Sequence, residues 1–222
     1  MPVVARKASG FSRPVALRGG VENVTEETSN PFGMRVGGRA VYGYGDANAD
    51  FHVVGDHPGR HGGVETGVPF TGSVAGVRLQ RVLHDVGFAA VPYADRPDLG
   101  NCYLSYVHPK VPDGREPTDE SYEDMERFLD AELRAINAHI ILAVGDRALS
   151  YALREHTSLA NGLPHDASAL HAEEVRGRGF LVVAVADPDR WTPADERALR
   201  ERLEALLDSD YRQTKGVATT IG

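Results

Sequence analysis

Four short apolar segments recur along the chain. They cover residues 51–54, 102–107, 140–144 and 180–186, and amphipathic stretches separate them. Alternation of this kind is typical of a mainly parallel sheet that is covered by helices on both faces. The pattern therefore predicts an α/β fold, a three-layer α/β/α sandwich with a central sheet of about four strands.

Three amphipathic helices are predicted between and after these segments. The first covers about residues 73–86 and the second about 118–137, because apolar residues recur there at the spacing of one helical face. The last begins at Thr192, whose hydroxyl can cap the helix while Pro193 and Asp195 complete a capping signal.

The two ends of the chain lack such periodicity. Residues 1–50 are rich in Gly, Pro, Asn and Thr, and we predict that they form an irregular N-terminal arm. We expect a single α/β domain over residues 51–210 and a flexible tail over 211–222.

Composition narrows the class of protein. With 222 residues, 41% of them hydrophobic and 25% charged, the chain suits one domain with a full core. No apolar run approaches the roughly 20 residues that cross a bilayer, and no secretory signal is evident, so we expect a cytoplasmic protein without a membrane partner. Cys102 is the only cysteine, which excludes an intrachain disulfide and a cysteine-ligated cluster.

The charge balance limits how the chain can bind nucleic acid. A formal net charge of -8 repels DNA at long range, so DNA binding requires a local basic patch. An acidic surface with few lysines is also suited to a salt-rich cytoplasm, where screening weakens long-range attraction.

The loop after the first apolar segment carries the most informative chemistry. It reads Gly55-Asp56-His57-Pro58-Gly59, and a second glycine-rich stretch at residues 67–72 contains Phe70 before the first predicted helix. Ligands of open α/β sheets bind at the carboxyl ends of strands. Glycines there allow a base to approach the backbone, and a carboxylate can orient a water molecule.

A strand that ends in G-[acid or amide]-x-P-G, followed by G-x-P-F-x-G at a helix start, resembles the uracil-DNA glycosylase superfamily. The nearest branch by this resemblance is family four, the iron-sulfur type, although the cluster cysteines are absent here. The likeness extends over roughly residues 43–191 and is strongest over 43–83. It implies a monomeric repair enzyme that excises uracil or another deaminated base from single- or double-stranded DNA, without a cofactor or an obligate protein partner.

The resemblance also assigns residues to roles. It implies that Asp56 activates the hydrolytic water, that Phe70 stacks on the flipped base, and that Asp187 lies where a catalytic residue contacts the leaving base. The residues expected around the base are Gly55, His57, Pro58, Gly59, Phe70 and Tyr106. Those expected to contact DNA are Arg60, Lys110, Arg115, Arg147, Arg190 and Trp191.

Two positions depart from the family pattern. Tyr106 stands where the family has an Asn that hydrogen-bonds uracil, and a phenol offers fewer donors and acceptors. Asp187 stands where the family has the His of H-P-S. Either Asp187 is protonated, or Arg190 supplies the charge, or a different base leaves, or catalysis is weak or lost. An alternative alignment would use His165 instead.

Simpler structural roles are open for the same residues. Asp56 can cap a turn, Phe70 can belong to the core, and Trp191 can pack on the last helix rather than fill the gap left by a flipped base. The histidines around His57 and His61 lack the spacing of a metal site, so none is predicted.

Two other functions compete with the glycosylase hypothesis. One is a catalytically silent relative that binds nucleic acid or a nucleobase. The other is a metabolic enzyme that holds a phosphate at a helix N-terminus, which the carboxylate of Asp56 disfavours.

Overall fold

The computed structural model describes residues 23–24, 36–160 and 162–211. Within them, seven strands form one sheet. In chain order they are β1 Asn23–Val24, β2 Tyr44–Asp46, β3 Phe51–Gly55, β4 Cys102–Tyr106, β5 Ile140–Val144, β6 Glu174–Arg176 and β7 Leu181–Val185. Their order across the sheet is β1-β2-β4-β3-β5-β7-β6.

The four central strands β4, β3, β5 and β7 are parallel, whereas β1, β2 and β6 pair antiparallel at the two edges. All four central strands are buried along their whole length, because helices cover both faces. These strands coincide with the four apolar segments, which confirms the predicted α/β sandwich. Its edge strands are additional to the predicted four.

The helices are α1 Pro58–His61, α2 Val74–Asp85, α3 Asp119–Ile136, α4 Gly145–His156 and α5 Pro193–Asp208, with a 3-10 turn at Pro188–Arg190. The three predicted helices correspond to α2, α3 and α5, and the capping box at Thr192 forms with Asp195. The short α1 and the longer α4 were not predicted. No helix among the described residues is long and apolar enough to span a membrane.

Two apolar cores lie on opposite faces of the sheet. One packs α2 and α5 against the face that carries Phe51, Val53 and Leu104. The other packs α3 and α4 against the face that carries Val54 and Ile141. Side chains alternate between the faces along each strand, so β3, β5 and β7 contribute to both cores.

The predicted irregular arm over residues 1–50 needs correction at its end. Strand β2 pairs with β4, and Val41 and Tyr44 are buried in the core. Residues before Phe51 are therefore part of the sheet, because the open edge of β4 needs a partner for its backbone groups. Most of the arm, and the predicted tail beyond Tyr211, lie outside the described residues.

Candidate active site

Because the four central strands are parallel, the loops at their carboxyl ends meet at one edge of the sheet. The loop after β3 brings Asp56 there, α4 begins there at Gly145, and the loop after β7 brings Asp187. Asp56 and Asp187 are each only 7% exposed. Two nearly buried carboxylates at this edge mark the candidate site.

Asp56 is held by a tyrosine from α3. The hydroxyl of Tyr122 donates a short hydrogen bond to Oδ1 of Asp56. Burial and the neighbouring carboxylate raise the pKa of Tyr122, so the phenol stays protonated and acts as the donor. No hydrogen bond from another described residue reaches Oδ2 of Asp56, and this oxygen is the one available to orient water.

His57 follows Asp56 and faces away from the centre of the site. Its Nε2 lies 3.0 Å from a carboxylate oxygen of Glu116, whose side chain is 84% exposed. On the same side, His108 contacts the hydroxyl of Ser121 through Nε2 at 2.8 Å. Burial lowers the pKa of His108. These contacts tie the loops after β3 and β4 to the start of α3.

His61 lies at the centre of the site, completely buried. Its Nδ1 accepts the backbone N–H of Asp56 at 3.0 Å, so the proton of a neutral ring is on Nε2. That nitrogen lies 3.6 Å from Oδ1 of Asp187. His61 therefore lies between the loop after β3 and the loop after β7, too far from Asp187 for a hydrogen bond.

Asp187 also pairs with Arg60 of α1. Both Nε and Nη2 of the guanidinium contact Oδ2 of the carboxylate. Burial alone would raise the pKa of Asp187, but the interactions with His61, Asp189 and Arg60 outweigh it and hold the pKa well below its ordinary value. The guanidinium of Arg60 therefore favours the ionised carboxylate of Asp187 over the protonated alternative.

Phe70 sits in a strained backbone conformation that its neighbours enforce. Its φ of +56° is unusual for a residue with a side chain. The hydroxyl of Tyr106 accepts its N–H at 2.7 Å, and the side-chain amide of Gln80 donates to its carbonyl at 2.8 Å. Such fixed strain is common at functional sites.

The ring of Phe70 has no open face in this structure. It is 0% exposed and stacks on the ring of His61, with centroids 5.4 Å apart and planes 18° from parallel. The ring of Tyr106 lies 5.3 Å away on the same core face. A base can therefore stack on Phe70 only after a neighbouring side chain moves.

The hydroxyl of Tyr106 takes part in two hydrogen bonds within the protein. Besides accepting from Phe70, this hydroxyl donates to the carbonyl of Gly62 at 3.0 Å. Burial raises the pKa of Tyr106, so the hydroxyl remains protonated. In this structure the polar atom of Tyr106 holds the backbone of the loop, and the expectation that Tyr106 contacts the base stays a prediction.

Gly55 makes this crowding possible. A Cβ at this position would lie 2.6 Å from Phe70, 2.7 Å from His61 and 2.9 Å from Tyr106. Gly59 is less constrained, with His57 3.1 Å from such an atom, and Pro58 is buried as the first residue of α1. The glycine that ends β3 therefore allows these three rings to pack together.

Of the residues expected to contact DNA, some are exposed and others are engaged in ion pairs within the protein. Arg115 is exposed and Lys110 partly so. Arg147 forms an ion pair with Asp119 at 2.7 Å and lies over the ring of Tyr122, and Arg190 is 77% exposed near Asp189. Arg60 is paired with Asp187 through Nε and Nη2.

Trp191 does not form a wedge in this structure. It is 5% exposed, and its indole N–H donates to the carbonyl of Ala186 at 2.8 Å. Its ring packs beside His171 at 5.7 Å between centroids. The structural alternative for Trp191 holds, because a satisfied N–H and apolar neighbours stabilise the buried position.

His165 does not replace Asp187. It lies in an exposed loop, and its Nε2 contacts the carbonyl of Ala160 at 2.8 Å. Within the described ranges, no group of three or more His, Cys, Asp or Glu side chains could hold a metal ion.

Tyr122 and the role of His61 were missed from the sequence. Tyr122 lies 66 residues from Asp56 in the chain, and it appears in the sequence only as an apolar position of a helix. His61 lies in the same loop as Asp56, so the sequence indicates that the two residues are close. The sequence does not indicate that His61 is buried between Phe70 and Asp187.

Comparison with known proteins agrees with this geometry. The family model described as the uracil DNA glycosylase superfamily matches residues 42–206. A type-5 uracil-DNA glycosylase of Thermus thermophilus is 34% identical over 176 residues, covering 77% of this chain and 79% of the relative. A protein of the same name from Pyrobaculum aerophilum is 31% identical over 175 residues, covering 77% and 74%.

A type-4 uracil-DNA glycosylase of Thermotoga maritima is 33% identical, but over only 111 residues, which is 50% of this chain and 53% of the relative. The expectation that family four is the nearest branch is therefore not supported. The motif after β3 suggested that branch because of its acidic residue. That inference depended on one short motif and not on the rest of the chain.

Proposed function

The chain belongs to the uracil-DNA glycosylase superfamily, and on this premise we propose that it is a uracil-DNA glycosylase that hydrolyses the bond between base and deoxyribose. The observation that carries the proposal is the carboxylate of Asp56. Asp56 directly follows β3 and is nearly buried. The hydroxyl of Tyr122 donates a hydrogen bond to one oxygen of this carboxylate, and no described residue donates one to the other oxygen.

In the proposed reaction, Oδ2 of Asp56 orients a water molecule toward the anomeric carbon of a flipped nucleotide. A carboxylate in this position accepts the proton of the water as the new C–O bond forms. Tyr122 restricts rotation of the carboxylate, and the backbone N–H of Asp56 is anchored on His61. Such pre-orientation lowers the cost of reaching the transition state.

The base enters a site that is closed in this structure. Phe70, His61 and Tyr106 are fully packed against one another, so we propose that DNA binding moves a side chain and opens a face of Phe70. Stacking on an aromatic ring contributes about 1–3 kcal/mol. It offsets part of the few kcal/mol that extrusion of a nucleotide costs.

DNA is the proposed partner, bound through a local patch. Lys110 and Arg115 follow β4 on the side of the site, and neither forms an ion pair with another described residue. With a net charge of -8 on the chain, binding by so few cations is expected to weaken steeply as salt rises.

A catalytically silent relative that binds a nucleobase is the second candidate. The pairing of Asp187 with Arg60 favours it, because a carboxylate lies where the family has the histidine that contacts the leaving base. Activity measurements separate the two candidates.

The test is single-turnover excision from oligonucleotides that contain uracil, hypoxanthine or xanthine, as single and double strands at low and high salt. Excision by the wild type that is lost in Asp56→Asn supports the glycosylase and identifies its base. Binding of every substrate without excision supports the silent relative. Arg134→Gln is the control, because Arg134 is 77% exposed near the end of α3, away from the site.

A further inference from the structure

Arg60 lies between the loops that follow β3 and β7. It belongs to α1, directly after Asp56, and its guanidinium reaches over the end of β5 to Asp187. Gly145, which follows β5, carries no side chain, and a Cβ there would lie 3.6 Å from the ring of His61. The cation is thereby placed at the edge where the two carboxylates face the site.

The guanidinium of Arg60 interacts with several acidic groups at once. Burial would lower its pKa, but attraction to Asp187, Asp56 and Asp189 raises it above the ordinary value. Arg60 is therefore permanently charged. The carboxylate of Asp187 is neutralised by a cation that is also close enough to Asp56 to interact with it.

One nitrogen of the Arg60 guanidinium, Nη1, is not used in the pairing with Asp187. Nε and Nη2 both contact the same oxygen of Asp187, and no hydrogen bond joins Nη1 to any described residue. The Arg60 side chain as a whole is 39% exposed. A guanidinium anchored on one edge with free N–H groups on another is suited to bind an anionic heterocycle.

We propose that Arg60, anchored by Asp187, stabilises the negative charge of the departing base. This rests on the proposed glycosylase function. The C1′–N bond breaks with its electron pair remaining on the base, and water adds to C1′ while its proton passes to Asp56. The base anion carries its charge on the ring nitrogen and the carbonyl oxygens, where Nη1 donates, and then takes a proton from Asp56 or from solvent.

Two other arginines that were expected at this surface are less suited to the role. Arg190, considered above for the charge, is 77% exposed and its nearest carboxylate is that of Asp189 at 3.9 Å. Arg147 is held by Asp119 and the ring of Tyr122. Without Arg60 the anion would form beside Asp56 and Asp187, two carboxylates with no arginine to offset them.

The test compares two leaving groups in Arg60→Gln and Arg60→Lys. Single-turnover excision of uracil and of 5-fluorouracil is measured at saturating enzyme, because fluorine stabilises the base anion by itself. Loss of a preorganised donor to developing charge costs about 100- to 1,000-fold in rate. We expect such a loss for uracil in Arg60→Gln, and a loss about tenfold smaller for 5-fluorouracil. Arg60→Lys retains the charge and is expected to lie between.

Several outcomes overturn the proposal. An equal loss on both bases means that Arg60 supports structure or DNA binding, and a faster Arg60→Gln means that it closes the site. An unchanged rate removes Arg60 from the reaction while the glycosylase function stands. If the wild type excises no base, the proposed function fails and this inference with it. Thermal melting confirms folding, and Arg134→Gln serves as the matched arginine control.

Discussion

Asp56 and Asp187 occupy equivalent places after two central strands, and both are 7% exposed, yet the protein surrounds them differently. Asp56 accepts a hydrogen bond from the neutral phenol of Tyr122. Asp187 is paired with the guanidinium of Arg60. The two aspartates therefore lie at the same edge of the sheet but have different partners, a neutral phenol and a charged guanidinium.

The difference assigns the two carboxylates to different tasks. A carboxylate fixed by a neutral donor can still accept a proton, whereas one paired with arginine is held ionised and acts as an anchor. A site that contains titratable groups in contrasting environments commonly divides its work between them in this way. The predictions below test that division.

The largest expected effect separates the two aspartates directly. Asp56→Asn removes the proposed base, and single-turnover excision should fall about 100- to 10,000-fold. Asp187→Asn leaves Asp56 in place and should cost only about tenfold, through loss of the anchor for Arg60. A larger loss in Asp187→Asn than in Asp56→Asn would reverse the assignment.

The packing of the loop after β3 is tested by Gly55→Ala. The added methyl would lie within 3 Å of Phe70, His61 and Tyr106, so overpacking should lower the free energy of unfolding by about 1–3 kcal/mol. Urea denaturation measures the change. Gly37→Ala is the control, since nothing lies within 4 Å of its Cβ position, and an equal loss in both variants would contradict this account.

Tyr122→Phe removes the hydrogen bond that distinguishes Asp56 from Asp187. We expect excision to slow by about tenfold because the carboxylate rotates more freely, with little change in DNA affinity. Tyr151→Phe is the matched control, because its hydroxyl donates to Asp130 between α4 and α3, outside the site. An unchanged rate in Tyr122→Phe would show that the contact is only structural.

The smallest effect concerns stability at low pH. Because the folded-state pKa of Asp187 lies below its unfolded value, about 3.9, its pairing stabilises the fold above that pH and is lost as pH falls through the folded pKa. The contribution is about 1 kcal/mol, since Arg60 is partly exposed to solvent. The difference in urea denaturation between wild type and Asp187→Asn should be full at pH 7 and should shrink progressively as pH falls below about 4. A constant difference would mean that Asp187 does not titrate in this way.

Much of the fold could be predicted from the sequence. The central strands followed from apolar segments, and α2, α3 and α5 followed from periodic faces and capping residues such as Thr192. The edge strands β2 and β6 did not, because they are only three residues long and their pairing depends on a neighbour. Helix α4 was missed because it begins directly at the end of β5 without a side-chain cap.

The candidate site could be predicted only in part. The loop with Asp56 and Phe70 was visible as a contiguous motif. Its contacts with Tyr122, and the pairing of Arg60 with Asp187 across 127 residues, were not visible, because they depend on how strands are ordered in the sheet. For the same reason, Trp191 was expected at the DNA surface although it is buried.

The sequence by itself determined the α/β architecture and the position of Asp56 at the end of a strand, because periodicity and local turn chemistry act over a few neighbouring residues. Tertiary structure alone decided which partner each carboxylate has. Placing β5 between β3 and β7 brings Arg60 to Asp187, while packing of α3 brings Tyr122 to Asp56. Charge and hydrogen bonding act through space, so these assignments exist only once the chain has folded.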